Sequence, residues 1–330
     1  MRRLHCLTPG SHPNIKELAF SNLASVRLRT AVCAASMQAT GWHVTVGDTI
    51  THEPDIVVVG KPGANQIEAR GSLWLRQLRD CRVRRSTIAV DYTDNHLAFN
   101  SPMTRFYSEV FTLCDFGIVP SAHMRNLLSN YWPGRTQIIE DPIEVPSLPP
   151  KEELQHPRRI LWFGHASNLN YLVQFVNDCL RPCSSLDLLI VTDSNGLEFL
   201  KRSNIRRING LSISFLPWSV QNMIEAARVS DACIIPSDTT DPAKSGASSN
   251  RLITALALGL PTAAEKLSSY EEFSEHFVDL RSNAFSGFLE NPTNFSHLVR
   301  SAQLEIVSRF SRDMISAAWQ YTISRASTSA

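Results

Sequence analysis

A polar loop in the second half of the chain carries the strongest chemical signal of the sequence. It runs from residue 237 to residue 251, between an apolar strand candidate and a helical stretch, and it holds Lys244, Ser245, Asn250 and Arg251. Free amides at a helix N-terminus, together with a lysine and an arginine, suit the binding of a diphosphate. The alternative is an ordinary loop that only caps its helix.

A second group of residues follows neighbouring strand candidates in the same half. Gly164 ends the first of these strands and is followed by His165, and a glycine here lets the backbone approach a ligand. Trp218 follows another strand, where it is either a ligand contact or a plain core tryptophan. Glu265 follows a further strand, where it is either a ligand contact at the same edge or a solvated loop acid.

Acidic residues and a histidine follow a strand candidate in the first half of the chain. Asp91, Asp94 and His96 come directly after an apolar run, and a strand-end carboxylate is well placed to act as a general base. Lys61 ends another strand, and Arg27 lies in the first turn of a helix, so both are predicted to contact a charged acceptor. The alternatives are a capping role for the acids and a solvated helix face for the arginine.

Alternating strand and helix patterns must position these residues. Short β-branched runs alternate with amphipathic stretches, which is typical of parallel α/β layers. The strands are predicted at 4–7, 43–46, 55–59, 87–90, 116–119, 137–139, 159–163, 186–191, 211–216, 232–235 and 261–264. The helices are predicted at 26–40, 72–80, 106–113, 169–180, 197–203, 220–229, 249–258 and from residue 291 onward.

Prolines divide this alternation into two similar halves. Five prolines lie between residues 142 and 157, where neither a helix nor a central strand can continue. We therefore predict an α/β fold with two doubly wound, Rossmann-like domains that face each other across a cleft. Their bounds are 1–145 and 159–308, with a linker at 146–158. Ligands of open α/β sheets bind outside the carboxyl ends of the strands, so each domain can hold one of two substrates.

Composition excludes several classes of protein. Of the 330 residues 43% are hydrophobic and 19% charged, and the net charge is +1, which argues against disorder and against electrostatic binding of nucleic acid. No uncharged apolar run approaches the ~18 residues of a membrane span, and the N-terminus predicts a strand and not a signal peptide. No GxGxxG motif indicates a nicotinamide or flavin cofactor.

The seven cysteines are scattered, and only Cys179 and Cys183 are close in sequence. A zinc site would need two further ligands at suitable spacing, which this pair does not have. We therefore expect reduced, structural cysteines in a cytoplasmic protein without a bound metal.

The order of these motifs resembles the C-terminal, nucleotide-sugar-binding domain of GT-B glycosyltransferases, in the groups known as family 1 and family 4. The resemblance is strongest over residues 159–273, and residues 310–324 are similar to the last helix of such enzymes. It implies a C-terminal helix, 309–330, that packs on the first, acceptor-binding domain. The residues that carry the resemblance are 160–164, 215–219, 230–237, 244–252 and 255–262.

One departure from the family pattern affects the choice of donor. Retaining members of family 4 carry two glutamates eight positions apart, and the corresponding positions here are Gly246 and Thr254. The second glutamate usually contacts the donor ribose, so Asn250, one helical turn earlier, is an alternative contact. The sequence leaves the sugar, the nucleobase and the stereochemical class open.

The resemblance implies a metal-independent glycosyltransferase of polysaccharide biosynthesis, which moves a sugar from a nucleotide-activated donor to a hydroxyl of a glycan, a lipid-linked glycan or a small molecule. Lys244 and Arg251 would stabilise the leaving group in place of a metal ion, and no cofactor would be needed. The donor contacts would be Gly164, His165, Trp218, Ser245, Asn250 and Glu265.

Two other functions are compatible with the same residues. A nucleotide-sugar epimerase or hydrolase of the same fold would use the donor site without an acceptor, and a catalytically silent domain would only bind a partner. Five arginines between residues 76 and 85 indicate either a solvated surface or contact with anionic lipid headgroups at the inner face of a membrane.

Overall fold

The computed structural model describes residues 1–12, 14–63, 66–155, 157–180, 186–202, 207–208 and 211–327. Six residues that the sequence predictions include lie outside the described residues: Cys183, residue 156 of the linker, residue 203 of a helix and the last three residues, 328–330. The chain forms two compact units. The first unit consists of Met1–Pro142, Ser245–Ser248 and the chain from Phe310 onward, and the second of Ile143–Lys244 and Ser249–Arg309.

The first unit is built on a six-stranded, entirely parallel sheet in the order β2-β1-β3-β4-β5-β6. The strands are β1 (Arg3–Leu7), β2 (His43–Gly47), β3 (Ile56–Val59), β4 (Thr87–Asp91), β5 (Phe116–Val119) and β6 (Thr136–Ile138). The helices are α1 (Ala31–Ala39), α2 (Ile67–Val83), α3 (Pro102–Leu113), α4 (Ala122–Ser129) and a C-terminal helix (Arg312–Ala326).

The second unit contains a seven-stranded sheet in the order β13-β12-β11-β7-β8-β10-β9, in which only β9 is antiparallel to its neighbour. The strands are β7 (Arg158–Gly164), β8 (Leu186–Thr192), β9 (Arg207–Ile208), β10 (Leu211–Pro217), β11 (Ala232–Ile235), β12 (Thr262–Ala264) and β13 (Val278–Asp279). The helices are α5 (Leu169–Cys179), α6 (Ser194–Arg202), α7 (Val220–Arg228), α8 (Asn250–Ala257), α9 (Ala284–Glu290) and α10 (Ser296–Arg309).

Burial on both faces explains why the strands are apolar along their whole length. All four residues of β3 are buried, as in parallel sheets that are covered by helices on both sides. One face of the first sheet packs on α1 and on Trp319 of the C-terminal helix, and the other packs on Trp74 of α2 and Phe106 of α3.

Each predicted strand is found, with bounds that differ by one or two residues at most. The predicted helix 26–40 consists of a π-helical turn, Ser25–Thr30, followed by α1. The short elements α4, α9, β9 and β13 were not predicted.

His5 in β1 gives a prediction for the pH dependence of stability. The ring is buried, with Nδ1 2.8 Å from Thr45 Oγ1 and Nε2 3.3 Å from the Gly47 carbonyl oxygen. Burial lowers the pKa of His5 to about 4. The unfolded chain binds this proton near pH 6.5, so the contribution of His5 to stability is full above that pH and is lost as the pH falls toward 4.

We expect this histidine alone to lower the free energy of unfolding by about 2 kcal/mol between pH 7.5 and pH 5. Urea unfolding of the wild type and of His5→Asn at the two pH values measures the difference. The variant loses this share of the pH dependence, whereas His43→Asn, at an exposed position of β2, retains it. An identical pH dependence in His5→Asn and wild type would contradict the prediction.

Candidate active site

The turn at the end of β7, Gly164–Asn168, is fixed by an internal hydrogen bond and by one to a carboxylate that follows β8. His165 Nδ1 accepts from the Ser167 amide at 3.2 Å, and Asp193 Oδ2 accepts from the Ala166 amide at 2.7 Å. Burial opposes ionisation of Asp193, but backbone N–H groups, including that of Ala166, and the nearby His165 outweigh it and hold its pKa below the usual value. We call Gly164–Asn168 the glycine turn.

The guanidinium of Arg251, near the start of α8, lies against this turn. A Cβ atom on Gly164 would lie 3.2 Å from ring atoms of Trp162 and 3.4 Å from Arg251 Nη1, so a larger side chain would displace the guanidinium. Nη1 is buried and has no hydrogen-bond partner among the described residues, while the Arg251 side chain also bonds to Tyr270. A buried, unpartnered guanidinium N–H beside a glycine suits an anionic ligand.

Lys244 connects the loop after β11 to the glycine turn. Its Nζ donates to Asn168 Oδ1 at 2.7 Å and lies 5.1 Å from the ring centroid of Tyr171. The Tyr171 hydroxyl in turn donates to Asp241 Oδ2 at 2.6 Å, and burial, with this hydrogen bond, raises the pKa of Tyr171 to about 12. Lys244 and Arg251 therefore both border the carboxyl end of β7.

The other residues predicted on the donor side have different environments. Glu265 is 5% exposed and forms an ion pair with Arg281 Nε at 2.5 Å, so it is not a solvated loop acid. Burial raises the pKa of Glu265 even though Arg281 acts against this shift. Trp218 is half-buried, and its amide donates to the Thr192 carbonyl oxygen at 2.8 Å. Asn250 Oδ1 accepts from the hydroxyl of Thr254 at 3.0 Å.

Ser245 belongs to the first unit, whereas Arg251 belongs to the second. Its Oγ accepts from Asn95 Nδ2 at 3.0 Å, and its carbonyl oxygen lies 2.7 Å from His123 Nε2. A Cβ atom on the next residue, Gly246, would lie 2.8 Å from the Asn95 backbone nitrogen and 2.4 Å from Met124 Cε. Close packing therefore explains why a glycine, and no glutamate, stands at this position.

Asp94, Lys61 and His96 form a cluster in the first unit. Lys61 Nζ donates to Asp94 Oδ2 at 2.6 Å, Thr93 Oγ1 donates to the same oxygen at 3.2 Å, and His96 Nε2 lies 3.9 Å away. Although burial opposes it, the charge of Lys61 and the nearby His96 lower the pKa of Asp94. His96 stacks on Tyr107, and burial lowers its pKa to about 4, so the ring is neutral at pH 7.

Asp91 lies at the end of β4 but belongs to a buried ion pair. Arg29 Nη2 donates to Asp91 Oδ1 at 2.6 Å, and Arg29 Nε lies within 3.2 Å of both carboxylate oxygens. Arg29 also pairs with Asp141 at 3.3 Å and lies 5.2 Å from the ring centroid of Trp319. Both carboxylate oxygens of Asp91 therefore accept hydrogen bonds from Arg29, and the side chain is buried, whereas Asp94 is half-buried.

Several residues of these arrangements, among them Asp193, Arg29 and Tyr270, were not predicted from the sequence. Asp193 lies between β8 and α6, where its Oδ1 accepts from the Asn195 and Gly196 amides, and an aspartate between a strand and a helix is the signal that could have identified it. Arg29 lies two residues after Arg27, and no local pattern distinguishes them. Arg27 is itself buried and donates from Nη1 to the Ser21 carbonyl oxygen at 2.6 Å. Tyr270, which bonds to Arg251, has no sequence signal beyond its type.

Three of the arginines between residues 76 and 85 form surface ion pairs: Arg79 with Glu109 at 2.8 Å, Arg82 with Asp115 at 2.6 Å and Arg84 with Glu53 at 3.3 Å.

Within the described part of the chain, no helix combines the length and hydropathy needed to cross a bilayer. The same residues contain no cluster of three or more histidine, cysteine or acidic side chains with the geometry of a metal site.

Comparison with known proteins shows similarity in structure and not in sequence. The sequence matches no protein-family model and no curated protein. A sucrose-phosphate synthase from Thermosynechococcus elongatus aligns with a TM-score of 0.69 and 12% identity over 100% of both chains. An alpha-glucosyltransferase in complex with UDP aligns with a TM-score of 0.61 and 10% identity, over 99% of this chain and 100% of the other.

The lipopolysaccharide outer core galactosyltransferase WaaB, in its apo form, gives a TM-score of 0.58 and 10% identity over 98% of this chain and 99% of the other. At these identities the similarity establishes the fold. The GT-B fold that the order of the motifs predicts is therefore confirmed.

Proposed function

We propose that this protein is a glycosyltransferase that moves a sugar from a nucleotide-activated donor to the hydroxyl group of an acceptor. The observation that carries the proposal is the buried, unpartnered Nη1 of Arg251 beside Gly164, with Lys244 bound to the same turn. Both cations border the carboxyl end of a central parallel strand, where α/β sheets bind their ligands. The alpha-glucosyltransferase of the same fold holds UDP, and a nucleoside diphosphate is the leaving group that we assign here.

In the proposed reaction the acceptor oxygen attacks the anomeric carbon of the donor, and the bond from that carbon to the diphosphate oxygen breaks. Arg251 and Lys244 stabilise the negative charge that grows on the diphosphate, so no metal ion is required for this task. Asp94 accepts the proton of the acceptor hydroxyl, and Lys61 orients its carboxylate. His165, Trp218, Asn250 and Glu265 are proposed as further donor contacts.

The acceptor is proposed to be a glycan, a lipid-linked glycan or a small hydroxyl compound, bound by the first unit. We further propose that the protein acts in the cytoplasm, with peripheral contact to a membrane through the exposed arginines between residues 76 and 85. No nucleic acid is expected as a partner, because the net charge is close to zero.

Nucleotide binding provides the first test. In a thermal-shift panel of UDP, GDP, ADP and their sugar conjugates, we expect one base to raise the melting temperature at millimolar concentration, because ligands that bind only the folded state stabilise it by mass action. The shift persists in excess EDTA, and in Arg251→Ala the shift caused by the free nucleoside diphosphate, which carries the charge of the leaving group, disappears. Failure of every nucleotide to change the melting temperature would contradict the proposal.

Product analysis separates transfer from its rivals. Incubation of the matching nucleotide sugar with an acceptor panel yields a glycosylated product if the protein is a transferase. Release of free sugar, or an epimerised nucleotide sugar, in the absence of any acceptor would instead indicate a hydrolase or an epimerase. Binding without any turnover would indicate a catalytically silent domain.

A further inference from the structure

A cavity of about 670 Å³ lies in the first unit, beside the edge strand β2. It is bordered by the loop that follows β1, by β2 with the loop after it, and by Gln38 near the end of α1. None of the residues that we place in the donor or acceptor chemistry lines it. Its volume lies in the range of pockets that bind small molecules.

The lining of this cavity is chemically mixed, with little net charge. The loop after β1 contributes Asn14 and Lys16, the loop after β2 contributes Asp48 and Thr49, and Gln38 adds an amide. Short apolar side chains of β2 lie among these polar groups. Amides and hydroxyls beside Asp48, Lys16 and the imidazole rings of His5 and His12, with small apolar surfaces between them, suit a neutral polyol, which presents both hydroxyl groups and C–H faces.

Hydrogen bonds between the two loops preform the cavity. The Asp48 amide donates to the Gly10 carbonyl oxygen at 2.9 Å, and the Thr8 amide donates to the Gly47 carbonyl oxygen at 3.2 Å. Gly47 has a φ of 152°, and a Cβ atom there would lie 3.1 Å from the Gly10 carbonyl oxygen. On the other side, Gln77 Nε2 donates to the Asp48 carbonyl oxygen at 3.0 Å. A ligand therefore meets a site whose backbone is already ordered, which reduces the entropic cost of binding.

We propose that this cavity binds a sugar residue of the acceptor glycan that is remote from the hydroxyl that reacts. This inference rests on the proposed function, because it assigns to an acceptor chain a second contact in addition to the one at Asp94. A remote contact stabilises the bound ground state and the transition state equally. Such a site therefore gives a long acceptor a lower KM than a short one and leaves kcat unchanged.

The test uses one variant that fills the cavity and one that keeps its shape. Gln38→Trp places a large ring at an exposed helix position that lines the cavity, and Lys16→Ala removes a polar group from the lining. Ala39→Trp is the matched control, because the neighbouring position is also exposed but does not line the cavity. Saturation-transfer NMR with neutral hexasaccharides of glucose and of N-acetylglucosamine measures binding without turnover.

We expect saturation transfer to at least one hexasaccharide in the wild type, in Ala39→Trp and in Arg251→Ala, and its loss in Gln38→Trp. Lys16→Ala weakens binding about tenfold. With an acceptor series, Gln38→Trp raises the KM of the long acceptor about tenfold and leaves that of the shortest unchanged.

Absence of binding to every hexasaccharide, or equal binding by Gln38→Trp and Ala39→Trp, overturns the inference. The two proposals fail separately in these experiments. Loss of the nucleotide-induced thermal shift bears on the proposed function, whereas the difference in oligosaccharide signal between Gln38→Trp and Ala39→Trp bears on the cavity.

Discussion

Replacement of Arg251 by alanine lowers kcat by about 10²–10³-fold, the range found when one group that stabilises transition-state charge is removed. Arg251 is the side chain whose buried Nη1 lacks a partner in the described structure and lies beside Gly164. Negative charge on the diphosphate grows as the sugar–oxygen bond breaks, so the interaction is stronger in the transition state than with the intact donor. The loss therefore falls mainly on kcat and less on KM.

Initial-rate kinetics with the nucleotide sugar found in the thermal-shift panel measure this effect. Arg251→Lys keeps the positive charge but loses the planar fork of N–H groups, so we expect an activity between those of alanine and wild type. Arg202→Ala is the matched control, because Arg202 lies on α6 of the same unit in an exposed pair with Glu198 at 3.1 Å. If Arg251→Ala lowers the activity by less than threefold, Arg251 does not stabilise the leaving group.

Asp94→Asn lowers kcat about a thousandfold, within the usual range of general-base catalysis, and leaves the melting temperature nearly unchanged. Asp94 is half-buried and is held by Lys61 at 2.6 Å, so the asparagine keeps the shape of the site and loses only the basic oxygen. Glu109→Gln is the control, because Glu109 pairs with Arg79 on the surface of the same unit.

Asp91→Asn provides the contrast that separates the two aspartates. The substitution leaves the positive charge of the buried Arg29 paired with Asp141 alone. Breaking a buried ion pair costs about 3–5 kcal/mol of stability. We expect a large loss of stability and only a secondary loss of activity. If Asp91→Asn stays fully stable and abolishes turnover while Asp94→Asn remains active, then Asp91, and not Asp94, is the base.

The amino-acid sequence by itself determined the order of the strands along the chain and the residues that end them. A β-branched run such as Ile56–Val59 specifies a buried strand from local composition, because every side chain in it is apolar. Gly164, Lys244 and Arg251 could be identified in the same way, since a glycine after a strand and cations near a helix start are local features. The order of the motifs that contain them resembles that of GT-B glycosyltransferases, and this resemblance predicted the fold.

Only the tertiary structure decided which of these polar residues are available for chemistry. Asp91 and Asp94 are three residues apart. Asp91 nevertheless forms a buried ion pair with Arg29, which lies 62 positions away in sequence. Ser245 bonds to Asn95, 150 positions away, and Glu265 is buried beside Arg281. Burial and charge pairing depend on which segments the sheets bring together, and a side chain's pKa and free hydrogen bonds follow from those neighbours and not from the adjacent sequence.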